Sequence, residues 1–198
     1  MPEVPFNTSK LYNLRSESNQ STLSFSAFNG TPQISIFKTD FVQGQRPISI
    51  MVNPIVRKML IESFTECIKA APGAKFPIII KKWNNEKKTR EINHVLIPGK
   101  DDNGVFFLEI KSGTNPPEKF PIRGDKNIEK SGEMESDSAR SKHEVEALIM
   151  FLRTEYPMAA MMTRFGMQNP GKGGQRPQSK PQQVDYSTQS AATEDDIY

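Results

Sequence analysis

Two short alternations flank an Asn-Gly pair early in the chain, and they constrain the fold more than any other local feature. Leu23-Ser24-Phe25-Ser26 and Gln33-Ile34-Ser35-Ile36 each send apolar and polar side chains to opposite faces of a strand. Asn29-Gly30 supplies two residues that tolerate positive φ, as a two-residue hairpin turn demands. With that pair as the loop, Phe25 faces Ile34, Leu23 faces Ile36, Ser24 faces Ser35 and Ser26 faces Gln33. Both strands then agree on the apolar face, and a slip of one residue would turn the whole apolar set to the wrong side.

Further elements follow in a repeating order. Residues 10–15 supply a strand before the hairpin, and Ile48-Ser49-Ile50-Met51-Val52 supply one after it. Asn53 is placed to N-cap a helix with Pro54 at its first position. Val56, Met59, Leu60, Phe64, Cys67 and Ile68 then recur at helical spacing until Pro72-Gly73. The second half predicts strands over 78–83, 88–97 and 105–111, with a short fourth over 119–123. Residues 125–138 are polar and charged, which reads as a mobile loop within 124–140. Ser141 and Glu144 have capping-box spacing, and Val145, Leu148, Ile149 and Leu152 share one helical face. Tyr156-Pro157 should kink or restart that helix, and Met161, Met162 and Phe165 are its next apolar positions.

The expectation is an α+β fold of antiparallel sheets with two helices, strands then helix, twice over, filling residues 1–165. Short turns between strands favour a meander over parallel crossovers. This element order resembles the whirly-type single-stranded DNA-binding fold, in which two four-stranded antiparallel sheets are each followed by a helix. An OB-fold barrel of five strands is the alternative architecture.

The end of the chain has a different character. Residues 166–198 are built largely from Gly, Pro, Gln and Ser, a composition that cannot bury enough apolar surface to fold alone. They close on Thr193-Glu194-Asp195-Asp196-Ile197-Tyr198. An acidic run capped by an aliphatic and an aromatic side chain on a disordered spacer resembles the C-terminal docking tip of phage and bacterial single-stranded DNA-binding proteins, with Tyr in place of their usual Phe. That resemblance implies partner binding by Glu194, Asp195, Asp196, Ile197 and Tyr198. The tail sets Lys172, Arg176 and Lys180 against Asp185, Glu194, Asp195 and Asp196, so the body is more basic than the whole chain's formal +3. A basic body with an acidic tip suits a polyanion-binding protein.

Several classes of function lack residues to carry them. A single cysteine excludes an internal disulfide framework and suits a reducing cytoplasm, the host's if the protein is viral. The N-terminus has neither the basic start nor the apolar stretch of a signal peptide, and no apolar run reaches the ~18 residues of a membrane helix. Cys67 sits on an apolar helical stripe as an inert thiol. No phosphate-binding Gly-Lys-Ser/Thr loop, Cys-x-x-Cys pair or His-x-x-x-His occurs. Asp101-Asp102 in a Gly-rich turn lacks the further oxygen ligands of a cation site. The chain reads as a non-enzyme with no cofactor and no metal.

Two sheet faces carry the candidate chemistry. In the first hairpin, Phe28 and Phe37 frame a row of hydroxyls and an amide on the face opposite Phe25 and Ile34, a combination able to stack bases and reach phosphates. In the second hairpin, a two-residue loop pairs Lys81 with Lys88, whereas a four-residue loop pairs Trp83 with Lys88 and Lys81 with Arg90. Either places Lys81, Trp83, Lys88 and Arg90 on one face, three cations around an indole. Together these features predict sequence-independent binding of single-stranded DNA in replication or recombination, by a homo-oligomer that recruits partners through its tip. Two alternatives stay open: an RNA-binding or transcription-regulating module, and an interaction protein that binds no nucleic acid.

Overall fold

The structure is a computed structural model that describes residues 9–28, 30–39, 47–113, 115–124 and 135–164. Eight strands form two open antiparallel meanders, and no closed barrel occurs among these residues. Sheet A runs β1 (Ser9–Arg15), β2 (Ser21–Phe28), β3 (Thr31–Lys38) and β4 (Ile48–Met51) in sequence order. Helix α1 (Pro54–Lys69) leads into sheet B, which comprises β5 (Ile78–Asn84), β6 (Thr89–Lys100), β7 (Phe106–Ser112) and β8 (Glu118–Pro121). Helices α2 (Asp137–Arg153) and α3 (Glu155–Arg164) follow. The expected order of four strands and a helix, twice over, is therefore present, with a third helix added by the break at Thr154.

The first hairpin adopts the register its alternation dictates. Leu23 pairs with Ile36, Ser24 with Ser35, Phe25 with Ile34 and Ser26 with Gln33, and Gly30 in the turn has φ of 79°. Leu23, Phe25, Ile34 and Ile36 lie in a core that also receives Ile78, Leu96, Phe106, Leu108, Ile110 and Phe120 from sheet B. Both sheets thus turn one face toward a shared interior. At the start of α1, the Asn53 side chain accepts a hydrogen bond from the Val56 amide at 2.9 Å, with Pro54 at the first helical position. Val56, Leu60, Phe64 and Cys67 are buried, whereas Met59 is exposed. Lys100 Nζ donates to the carbonyls of Ala70 (2.8 Å) and Ile68 (3.4 Å), satisfying acceptors that the helix end leaves open.

Helix α2 begins earlier than its sequence suggests. Ser136 is the N-cap, accepting from the Ala139 amide at 3.3 Å, so residues 137–140 are helical, while 125–134 lie outside the described residues. Ser141 does not cap. It is fully buried, where its Oγ accepts from the Phe106 amide (2.8 Å) and donates to the Ile122 carbonyl (2.5 Å), tying α2 to sheet B. Glu144, the other expected capping residue, instead receives the Tyr12 hydroxyl. Burial, followed by the bond to Glu144 and its charge, drives the Tyr12 pKa well above the usual phenol range.

Aromatic rings hold α2 and α3 against sheet A. Phe25 meets Tyr12, Phe151 and Tyr156 edge-on at 5.9, 6.2 and 5.9 Å, while Phe151 stacks with Tyr156 at 5.3 Å. The Tyr156 hydroxyl donates to the Gln33 carbonyl at 2.7 Å. Burying Tyr156 and Ala160 leaves Met158, Met161 and Met162 exposed on the outside of this helix, while Phe165 lies outside the described residues.

Replacing Ser141 by Ala removes one donor and one acceptor from a closed site and strands the Phe106 amide and the Ile122 carbonyl. Unfolding in urea should show a loss of about 1–3 kcal/mol. An unchanged midpoint would mean that water reaches both groups.

Candidate nucleic-acid interface

The outward face of sheet B owes its composition to a β-bulge. In an unbroken strand, Arg90, Ile92, His94 and Leu96 would all point to one side, because side chains alternate with period two. Here the register shifts between Ile80 and Lys81: Ile80 pairs with His94, while Lys81 pairs with Ile92, leaving Asn93 as the extra residue. The Asn93 carbonyl accepts the Gly113 amide at 3.1 Å. Leu96 therefore points into the core, fully buried, while Ile92 is 59% exposed on the opposite side. The bulge turns Arg90 and Ile92 outward, beside Lys81 and Trp83.

Four side chains then form two cross-strand pairs, Trp83 with Arg90 and Lys81 with Ile92. Ile79 continues the outward row of β5, where Ile79 and Trp83 are each 53% exposed. Neither pairing expected from sequence occurs. The loop is four residues long, Asn85-Glu86-Lys87-Lys88, one position later than anticipated, and Lys88 lies in the turn at φ 48° and not on a strand face. Asn84 fixes that turn, its Oδ1 accepting from the Glu86 (3.0 Å) and Lys87 (3.2 Å) amides. Lys87 Nζ pairs with Glu91 at 2.8 Å, and Asn84 Nδ2 donates to the same carboxylate at 3.0 Å. Those bonds, that from Asn84 first, hold the Glu91 carboxyl below its usual range.

Toward the other end of the face lies a cluster that sequence reasoning missed. Val95 pairs with Lys111, Ile97 with Glu109, and Glu109 with Lys119, so Lys111, Glu109 and Lys119 share the side of Trp83. Lys75 joins them through a single bridge to Gly99. Glu109 sits among these cations, 3.6 Å from both Lys75 Nζ and Lys111 Nζ. The Phe107 ring lies beneath Lys119 Nζ (4.8 Å) and Lys75 Nζ (5.7 Å) and is almost wholly buried. It lies across Gly99, where an added Cβ would come within 2.4 Å of the ring. The signal was Glu109 and Lys111 two apart on one expected strand and Lys119 at the start of another, with Lys75 outside any expected strand; these become a patch only once the strand order places β6, β7 and β8 side by side.

The first hairpin presents a different surface. Thr22 pairs with Phe37 and Phe28 with Thr31 as expected, and Phe37 is half-buried. The side chain of Phe28 lies outside the described residues. Ser24, Ser26 and Ser35, the middle of the supposed hydroxyl platform, are 0%, 1% and 2% exposed. Ser26 and Ser35 satisfy one another at 3.2 Å, and Ser24 Oγ has no partner among the described residues. These hydroxyls are not offered to solvent, so the platform expected there is not formed. Nor does the structure bring this face together with Trp83. Glu194, Asp195, Asp196, Ile197 and Tyr198 lie outside the described residues.

Other candidate groups have structural work. Burial pushes the Cys67 thiol up to about 12, outweighing the nearby Lys100, which leaves almost no nucleophilic thiolate near neutral pH. His94 is held below the usual imidazole range by burial and shares a 3.0 Å hydrogen bond with Ser112. Asp101 Oδ1 accepts the Asn103 (3.0 Å) and Val105 (2.8 Å) amides, so it closes its turn from within. No helix among the described residues is long and apolar enough to cross a membrane.

Gly99→Ala should cost roughly 1–3 kcal/mol in chemical denaturation, because the new methyl and the Phe107 ring cannot share the site without displacing backbone or ring. Combining it with Phe107→Leu should recover part of that loss. Full stability in Gly99→Ala alone would mean that the ring moves aside freely.

Comparison of the chain with protein-family models, curated proteins and solved structures returned no match.

Proposed function

We propose that this protein binds single-stranded DNA without base preference, serving replication or recombination as a binding protein and not as an enzyme. One observation carries this: the outward face of sheet B joins an exposed indole and two exposed isoleucines to Lys81 and Arg90 on neighbouring strands. An aromatic ring can stack on any base, and flanking cations can hold the phosphates on either side, which gives affinity without readout. A duplex hides its base faces in the stack and offers a groove that helices or ribbons enter. Here α1 and α2 commit their apolar stripes to the core, and α1 pairs Lys58 with Glu62 at 3.3 Å on its outer side.

The two four-stranded sheets, each followed by a helical segment, support the resemblance to whirly-type single-strand binders. The exposed Met150, Met158, Met161 and Met162 offer the adaptable surface on which we place self-association into a homo-oligomer. The acidic tip, 193–198, supplies the docking peptide for a replication partner.

Competition between labelled oligo-dT, oligo-U and duplex, at two salt concentrations, tests the function directly. Oligo-dT should bind more tightly than duplex, and Trp83→Ala should weaken it by roughly 1–3 kcal/mol, the range for one stacking aromatic. Lys81→Ala and Arg90→Ala should each lower the slope of log affinity against log salt by about 0.7. Equal or better affinity for duplex defeats the proposal, and equal affinity for oligo-U widens it to RNA.

Deleting 193–198 should leave thermal unfolding unchanged and raise affinity for oligo-dT at low salt. Three carboxylates can mimic phosphates, and a flexible spacer of ~28 residues spans roughly 30 Å, enough to return to a small domain. The same truncation should abolish recruitment of the replication partner. Identical affinities at every salt concentration would exclude competition by the tail.

A further inference from the structure

We infer that the cation cluster around Glu109 is a second subsite of the same face, holding phosphates of a strand that runs along β6 from Trp83. This role presupposes the single-strand function proposed above and adds a site, a path and a length. The side chains of Lys75 and Lys111 are 56% and 50% exposed, and that of Lys119 is 28% exposed. All three crowd one short stretch of sheet. Their geometry is set from below: the face of Phe107, a ring wedged over Gly99, lies 4.8 Å from Lys119 Nζ and 5.7 Å from Lys75 Nζ and so holds both ammonium groups over it.

Glu109 has only 14% of its side chain exposed and contacts two of the three lysines. Two carboxylates, Glu109 and Glu17, against three ammonium groups leave excess positive charge on the patch. Glu109 also acts as a resident counter-anion that an arriving phosphate must displace from Lys75 and Lys111. Lys119 has a second acid nearby, Glu17 at 3.6 Å, across the boundary between the sheets. The other end of the face is built in the opposite way, with Ile79, Trp83 and Ile92 exposed and Arg90 and Lys81 between them. Stacking groups at one end and phosphate-holding groups at the other define a direction, with Val95 leading from Ile79 to Lys111.

The distance follows from the register. Trp83 lies opposite Arg90 and Phe107 opposite Gly99; with Asn93 bulged, the two ends are eight ladder steps apart on β6, or roughly 27 Å at ~3.4 Å per residue. At the stacked rise of ~3.4 Å per nucleotide, about nine nucleotides cover that span, and a drawn-out strand needs fewer. Four nucleotides, with three steps between them, reach only roughly 20 Å even at twice the stacked rise.

Trp83 is the single tryptophan, so its fluorescence reports on one end while substitutions are made at the other. Four- and twelve-nucleotide oligo-dT would be titrated into the full chain, into Lys75→Gln/Lys111→Gln/Lys119→Gln, and into Glu109→Gln. Glutamine removes each charge while keeping a polar, unbranched side chain, and thermal unfolding would verify each fold. The wild type should bind the longer strand at least about tenfold more tightly, with a steeper salt slope. The triple variant should lose that gain, lower the slope for the longer strand by about 2, and leave the shorter strand's quenching of Trp83 unchanged. Glu109→Gln should tighten binding of the longer strand, an effect in the opposite direction that a misfolded variant would not give. An unchanged slope and length dependence in the triple variant, or weaker binding by Glu109→Gln, overturns the subsite while leaving the Trp83 end in place. No quenching of the wild type by either strand removes the function proposed above as well.

Discussion

Each sheet of this protein can bury only one face in the interior that both share, and every other property of the surface follows from which face that is. The constraint acts strongly because the core is continuous: Phe25 and Ile34 from one meander and Leu96, Leu108 and Phe120 from the other belong to the same buried cluster as Leu60 and Leu148. Turning a strand over would exchange several fully buried apolar side chains for charged ones, at about 1.5–3 kcal/mol for each large apolar side chain exposed, before the cost of burying charge. Strand β6 nevertheless needs Leu96 inward and Arg90 outward, at positions that alternation alone places on one side. The extra residue at Asn93 resolves the conflict locally. A single unpaired residue thus lets a twelve-residue strand serve the core over its second half and the surface over its first.

The outward faces of the two sheets have been used differently. On sheet A the central serines are fully enclosed, and Ser24 Oγ has no partner among the described residues, a burial that is tolerable because a lone hydroxyl costs far less than a lone charge. On sheet B the outward positions carry long cationic side chains, and the ammonium groups of Lys75 and Lys119 lie over the Phe107 ring while their side chains stay partly exposed. Lysine and arginine are suited to this, covering Phe107 or flanking Trp83 without losing hydration of the charge. The like-charge cost is limited for the free protein, since Glu109 stands between Lys75 and Lys111 and both are half-exposed to water. The face therefore weakens the fold little, while the ions it would release from a polyanion supply binding free energy.

Much of the architecture was legible in the chain because local signals and the shared core agree. Asn29-Gly30 set the first hairpin's register through to its last pair, and Asn53-Pro54 marked the start of α1. Errors arose where a tertiary contact outweighed a local motif. Ser141 and Glu144 have the spacing of a capping box, yet the Phe106 amide, the Ile122 carbonyl and the Tyr12 hydroxyl use their side chains, so Ser136 takes over the cap. The second hairpin's pairing was missed because a bulge leaves no signature in hydrophobic period, and Lys88 went into the turn. Trp83, Lys81 and Arg90 came together even so, since their common face depends on the bulge and the core and not on the exact loop.

The cluster at the far end of sheet B illustrates the limit of reading one strand at a time. Lys75, Lys111 and Lys119 are spread over 45 positions of sequence and reach one patch only because three antiparallel neighbours stack their registers at Gly99, Ile97 and Val95. Their distribution argues for contact with a chain of regularly spaced charges and against a pocket for a compact anion. A compact phosphate is held best by converging backbone amides or a bidentate guanidinium in a concave site, whereas these ammonium groups stand separately on a sheet with a ring beneath them. Lysine acts there as a point charge with little demand on geometry. In the function proposed above, a surface of separated point charges at one end and an exposed indole at the other would tolerate any base sequence, because neither stacking nor Coulomb attraction depends on the pattern of donors and acceptors at the base edges.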